Sequence, residues 1–200
     1  MARMSFLRLI QRKNTKRKIS ILRPFLPSRK GQVLDFGCGD LSLAKAIYQE
    51  NPALSITGID VVDFHAKLKN LRFKKYDGVT IPFADNYFDI TLAFHVLHHC
   101  TSSLQLAAEC CRVTRRRLII VEPTVRHPLE VPVMRCIDYL LNIWKGQLIP
   151  FAYEFRTREA WHAFFAANNL RVVYEEDIEV FPRWVPTGRT FLFVVEKKKI

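Results

Sequence analysis

The residues with the clearest capacity for chemistry lie in VLDFGCGDL, residues 33–41. An apolar run ends there in a carboxylate, Asp35, and Gly37 and Gly39 bracket the turn that follows. Glycine is wanted at such a turn because only a residue without Cβ lets the backbone pass tightly round a ligand. Asp60, 21 residues beyond Gly39, closes a second apolar run. A carboxylate at that point can accept hydrogen bonds from both hydroxyls of a ribose. Asp77 follows a third run, where it can meet the amino group of a base. Three acids at three successive strand ends describe a site for a nucleoside that carries positive charge.

A second set of candidates follows the fourth and fifth runs: His95, His98 and His99 in HVLHH, and Glu122. Histidine suits proton transfer near neutrality, and a base is needed whenever a nucleophile must lose a proton. His95, His99 and Glu122 are the expected catalytic candidates, with capping or packing as the alternative role of each. The five cysteines form no C-x-x-C pair, so buried thiols are expected and no metal site is.

These residues need a frame. A strand over 32–35 leads into the glycine turn, and 42–50 reads as a helix stopped by Asn51-Pro52. Further strands are expected over 55–60, 71–76, 88–94 and 118–121, with a helix over 104–113. Strands alternating with helices imply right-handed crossovers and a parallel sheet covered on both faces: an α/β, Rossmann-like, doubly wound fold. Residues 125–155 read as an inserted helical hairpin, with Val133, Met134, Ile137, Leu140, Leu141 and Trp144 along an apolar face. Thr157 is a candidate N-cap for a helix reaching Asn168. Strands over 171–180 and 191–196, joined by a turn with Pro182, Pro186 and Gly188, form an antiparallel hairpin at the sheet's edge and bring the expected strands to seven.

A chain of 200 residues suits one domain. No apolar run nears the ~20 residues of a membrane span, and no secretory pattern follows Met1, so a cytoplasmic location is expected. Lys and Arg number 31 against 19 Asp and Glu, a net charge of +12, yet ten of the basic residues precede Asp35, and without them only +2 remains. Residues 1–30 therefore read as a basic arm on a near-neutral domain, 31–200. Apolar residues interleaved with the charges, among them Ile19, Ile21 and Leu22, predict a helix lying on the sheet. The charge itself suits RNA or an anionic membrane surface.

From 33 to 123 the chain resembles the class I S-adenosylmethionine-dependent methyltransferases, in particular the type 11 group. IPFADNYFD (81–89) is similar to that family's LPF-x-D-x-x-FD run, HVLHH (95–99) to its segment after the fourth strand, and RRLIIVEP (116–123) to its fifth strand. The resemblance implies S-adenosylmethionine as cofactor, with Asp35, Gly37 and Gly39 round its methionine part, Asp60 at the ribose and Asp77 at the adenine. Phe36, Cys38, Val61, Gly78 and Phe94 complete the expected lining. There are three departures. Leu41 stands where the family often has a third glycine, and Thr114 to Arg117 stand where paired glycines usually precede the fifth strand. No Asn/Asp-Pro-Pro-aromatic motif follows the fourth, which disfavours an amide or exocyclic nitrogen as acceptor. A nicotinamide enzyme, the rival owner of a G-x-G turn, wants glycine at Ser42.

The expected function is methyl transfer to a small, apolar or lipid-like acceptor, on oxygen or carbon, under a lid formed by 125–155. The alternatives are an RNA methyltransferase that uses the basic arm and a non-catalytic cofactor-binding protein. The same arm predicts a peripheral membrane contact.

Overall fold

A strand sends successive side chains to opposite faces, and the two hydrophobic cores of this chain divide along that alternation. The computed structural model describes residues 15, 17–63, 71–145, 153–178 and 188–198. They form one seven-stranded sheet of order β3-β2-β1-β4-β5-β7-β6. Its strands are β1 (Gly31–Phe36), β2 (Leu54–Asp60), β3 (Arg72–Lys75), β4 (Phe88–Phe94), β5 (Thr114–Thr124), β6 (Leu170–Ile178) and β7 (Arg189–Lys197). β1 to β5 are parallel, and β7 lies antiparallel between β5 and β6. The doubly wound, mostly parallel sheet with a C-terminal antiparallel pair is thus the fold expected from the sequence.

Helices α1 (17–22) and α2 (Ser42–Glu50) cover one face. There Ile19, Leu22, Ala44 and Ile47 cluster with Val33, Leu92, Ile119 and Val194. Helices α3 (Ser103–Val113) and α5 (Arg158–Ala167) cover the other, where Leu106, Cys110, Trp161 and Phe165 cluster with Leu34, Phe36, Ala93 and Phe193. Burial on both sides is why β4 and the stretch Leu118 to Val121 of β5 read as mostly apolar runs. Thr157 caps α5 by accepting the Ala160 N–H at 3.1 Å. Arg112 of α3 donates to the carbonyls of Ile81 (2.8 Å) and Phe83 (2.9 Å) and pairs with Asp85 and Glu109. The IPF segment is thereby clamped to the helix that precedes β5.

Three details differ from the sequence reading. β5 begins at Thr114, directly after α3, so the run Thr114 to Arg117 is strand and leaves no loop for paired glycines. The Thr114 hydroxyl sits 2.5 Å from the Cys110 carbonyl and 2.6 Å from the Thr91 hydroxyl, while Arg115 pairs with Asp89 and Arg117 with Glu196. Of the expected insertion, α4 (Glu130–Lys145) is one helix; 146–152 lie outside the described residues, as do the turn at 179–187 and most of 1–16. Cys38, Cys110 and Cys111 are buried as expected, but Cys136 on α4 is exposed. Among the described residues no helix is long and apolar enough to cross a membrane.

Leu22 has no exposed surface, which makes the helix of the basic arm part of the core. Leu22→Ala should lower the unfolding free energy by about 2–5 kcal/mol, the range for a buried leucine. Urea denaturation followed by circular dichroism checks this, and an unchanged midpoint would mean that α1 is not docked.

Candidate functional site

The carboxyl ends of β1 to β5 share one edge of the sheet, and the strand order reverses between β1 and β4, where doubly wound sheets open a crevice. Asp35 is only 2 % exposed, and its Oδ2 has no hydrogen-bond partner among the described residues. Burial pushes its carboxyl up to about 7, against the pull of Lys18 and with a further push from Asp60. Past Phe36 the backbone passes through three left-handed residues, Gly37 (φ +67°), Gly39 (φ +51°) and Leu41 (φ +60°). The N–H groups of Gly37 and Cys38 both donate to the Ile59 carbonyl, at 2.9 and 3.1 Å, which locks the turn to β2.

The two glycines answer to different neighbours. A Cβ on Gly37 would lie 2.1 Å from Val96 Cγ2, whereas one on Gly39 would meet no atom of the described residues within 4 Å. The chain leaving β4 fills the space over Gly37; the space over Gly39 is open. Leu41 keeps the left-handed conformation that a third glycine would adopt freely, at about 1–2 kcal/mol for an L-residue. Its side chain is fully buried and seated on Gly58, where a Cβ would come 2.4 Å from Leu41 Cδ2. Gly58 was missed in the sequence, although a glycine inside a strand signals such a close approach.

Asp60 accepts the Gly39 N–H on Oδ2 (2.9 Å) and the Val62 N–H on Oδ1 (3.0 Å). A carboxylate has about four lone-pair sites, so each oxygen keeps accepting capacity. The Oδ1 of Asp77 accepts from Thr80 (3.0 Å) and Val79 (2.8 Å), which holds that carboxyl below its ordinary range. Beside it Gly78 (φ +82°) lies so near Val61 that a Cβ would be 3.2 Å from Val61 Cγ1. The turn after β1, Asp60, Val61, Asp77, Gly78 and Phe94 are therefore brought to one edge. The side chains of Phe36 and Cys38 instead enter the two cores and leave their backbone at the turn, and burial pushes the Cys38 thiol up.

Across the crevice, His95 (φ +53°) donates its N–H to the Val121 carbonyl at 2.8 Å. The 3-10 turn Leu97–His99 is built around Glu122, which is 1 % exposed. Its Oε1 accepts the N–H groups of Val96 (2.7 Å) and Leu97 (2.8 Å), and its Oε2 lies 2.6 Å from His98 Nδ1. Asp138 of α4 sits 3.7 Å from His98 Nε2 and 3.6 Å from His99 Nε2. Burial disfavours charge on His98, but Glu122 and Asp138 outweigh it and raise its pKa to about 9. Phe155 stacks on His98 with ring centroids 5.3 Å apart, and the Glu154 N–H donates to the His98 carbonyl at 2.8 Å.

His95, His99 and Glu122 thus meet where β4 and β5 end, joined by His98, Asp138 and Phe155. Sequence reasoning missed Asp138, whose signal was a lone acid beside Ile137 and Leu140 on an otherwise apolar helix face. The ligand-type atoms of His98, His99 and Asp138 lie within 4.8 Å of one another. A protonated His98 has no lone pair to give a metal, so the charges around it favour an ion-pair network.

A family model described as a methyltransferase domain matches residues 34–121. A ubiquinone/menaquinone biosynthesis C-methyltransferase of Francisella philomiragia subsp. philomiragia is 26 % identical over 159 residues, 72 % of this chain and 61 % of that protein. The uncharacterized methyltransferase YcgJ of Bacillus subtilis is 27 % identical over 175 residues, 80 % of this chain and 66 % of that protein. The chain therefore spans less than two thirds of the length of either relative. Among solved structures, magnesium protoporphyrin IX methyltransferase from Synechocystis PCC 6803 with bound SAH superposes with a TM-score of 0.66 at 15 % identity, over 96 % of this chain and 85 % of that one.

The His98 cluster sets a dependence of stability on pH. A histidine that titrates near 6.5 when unfolded and about 9 when folded contributes fully below about 6.5 and loses that contribution as pH rises through about 9. The stability margin of wild type over His98→Asn should narrow by up to about 3 kcal/mol across that window. Urea unfolding at a series of pH values checks it, and a flat margin would mean that His98 is neutral in the fold.

Proposed function

We propose that this chain is a class I S-adenosylmethionine-dependent methyltransferase of the type 11 group, as the methyltransferase-domain match over residues 34–121 and the two methyltransferase relatives support, and that it moves the cofactor's methyl group to a small, apolar or lipid-like acceptor, on oxygen or carbon. The observation that carries the cofactor half of this reading is Asp35, a buried carboxylate with an unpartnered oxygen at the foot of the glycine turn. A ligand bearing positive charge offsets the burial that raises the Asp35 pKa. The open space over Gly39 and the remaining lone pairs of Asp60 fit the rest of a nucleoside. Asp60 would take the ribose hydroxyls, Asp77, Gly78 and Val61 the adenine, and the backbone from Asp35 to Gly39 the methionine part. When bound, S-adenosylmethionine supplies a methyl group on a positively charged sulfur that leaves readily.

The protein's own task is then to orient an acceptor and exclude water, and orientation alone can contribute about 7–11 kcal/mol. Leu129, 78 % exposed just ahead of α4, and Leu140, 58 % exposed on it, give the insertion an apolar surface. Asp138 near the middle of that insertion and Phe155 at its end tie it to the histidine turn, which supports a lid over an apolar acceptor. The basic arm supports collection of the acceptor from an anionic lipid surface. His95, held at positive φ as strained residues of functional sites often are, and His99 would take a proton from the acceptor. Glu122, with both oxygens engaged, acts through His98 as a positioning residue.

Asp60→Ala should weaken binding of S-adenosylhomocysteine at least tenfold, since a hydrogen bond to a charged group contributes about 1.5–3 kcal/mol. Calorimetry giving unchanged affinity overturns the cofactor reading. With cofactor labelled on the methyl group, label is expected to enter the organic phase of a membrane-lipid extract. Label that enters only added RNA overturns the acceptor reading.

A further inference from the structure

The amino-acid end of S-adenosylmethionine is a zwitterion, and the turn after β1 answers only half of it. Asp60 and Asp40 both lie close enough to Asp35 to act on it electrostatically. They suit the ligand's ammonium group and repel its carboxylate. The missing cation comes from outside the glycine turn. Ile19 and Leu22 of α1 are buried in the core that also contains Val33 and Leu92, which is the face of β1 that Asp35 shares. Between those anchors and the chain's start, Lys18 is half-buried, and its Nζ lies 4.6 Å from the centroid of the Phe94 ring. The register Phe36↔Ala93 puts Phe94 alongside the start of the glycine turn. Lys18 is also the cation that acts on Asp35, so both relations place its ammonium at the methionine end of the crevice.

We propose that Lys18 is the carboxylate-binding residue of the site, reaching from the N-terminal helix over Phe94 to pair with the α-carboxylate of the bound cofactor. The face of Phe94 steadies a lysine that would otherwise sample many rotamers in solvent, since an aromatic ring attracts a cation within about 6 Å. A half-buried ion pair is also screened less by salt than an exposed one. This inference rests on the cofactor reading above. Its rival is a purely structural lysine that moderates the charge of Asp35 and helps to dock α1.

The test is calorimetric titration of the full chain with two ligands, S-adenosylhomocysteine and its decarboxylated analogue, which keeps adenosine, thioether and ammonium but has no carboxylate. Wild type should prefer the first by about 10- to 100-fold, the range for one charge-assisted hydrogen bond. Lys18→Met keeps an unbranched apolar stem over Phe94 and removes the charge. It should abolish that preference by weakening only S-adenosylhomocysteine, and Lys18→Gln should do the same, while Lys18→Arg retains most of it. Equal losses for the two ligands would assign Lys18 to the structural role and overturn the proposal, as would no loss for either. If wild type binds neither ligand, the cofactor reading itself has failed, and this inference falls with it.

Discussion

A carboxylate taken out of water must be surrounded by donors, and at Glu122 that requirement shapes both halves of the crevice. Its oxygens collect the N–H groups of Val96 and Leu97 and the Nδ1 of His98, so the end of β5 dictates the path of the chain leaving β4. Breaking such a buried arrangement by removing one partner costs about 3–5 kcal/mol. The path has a second effect, because Val96 is the residue that occupies the space over Gly37. The histidine turn and the glycine turn are therefore held against each other by one side chain. A change at either is felt at the other through that contact.

The two sides of the crevice handle charge in opposite ways. On the β4–β5 side the ions are matched internally, with His98 between Glu122 and Asp138. On the β1–β2 side Asp35 is buried with an oxygen unsatisfied. An acid whose folded pKa is raised to about 7 weakens the fold progressively as pH rises above its unfolded value near 3.9, and fully above about 7. On the proposed reading, rigidity is concentrated where an acceptor would be aligned, and electrostatic need where a cation would be held.

Much of this was legible in the chain. The runs ending in Asp35, Asp60 and Phe94 announce strands, and the acids at their ends announce the edge that binds. What stayed hidden depends on partners distant in sequence. Arg115 and Arg117 look like loop residues until Asp89 and Glu196 are seen beside them across neighbouring strands. Asp138 reads as an interruption of an apolar helix face until the histidine turn is folded against it, some 40 residues away. Leu41 shows a third kind of gap. The backbone keeps the left-handed path expected of glycine, because Gly58 has given up its side chain to receive the leucine. The glycine has in effect moved to the neighbouring strand, where no motif would look for it.

The position of β7 also bears on how the sheet is assembled. It pairs with β5 on one side and β6 on the other, so β6 is made before the strand that joins it to the sheet exists. During synthesis β5, with its apolar stretch Leu118 to Val121, must wait with an open edge while about 64 further residues emerge, from the end of β5 to the start of β7. An unpaired apolar edge is a template for pairing with another chain. The guanidinium groups of Arg115, Arg116 and Arg117 stand along the early part of that edge strand, and a row of like charges discourages a second copy from docking there. The basic run that replaces the expected glycine loop thus has a use before the fold is complete, as a guard on a nascent strand.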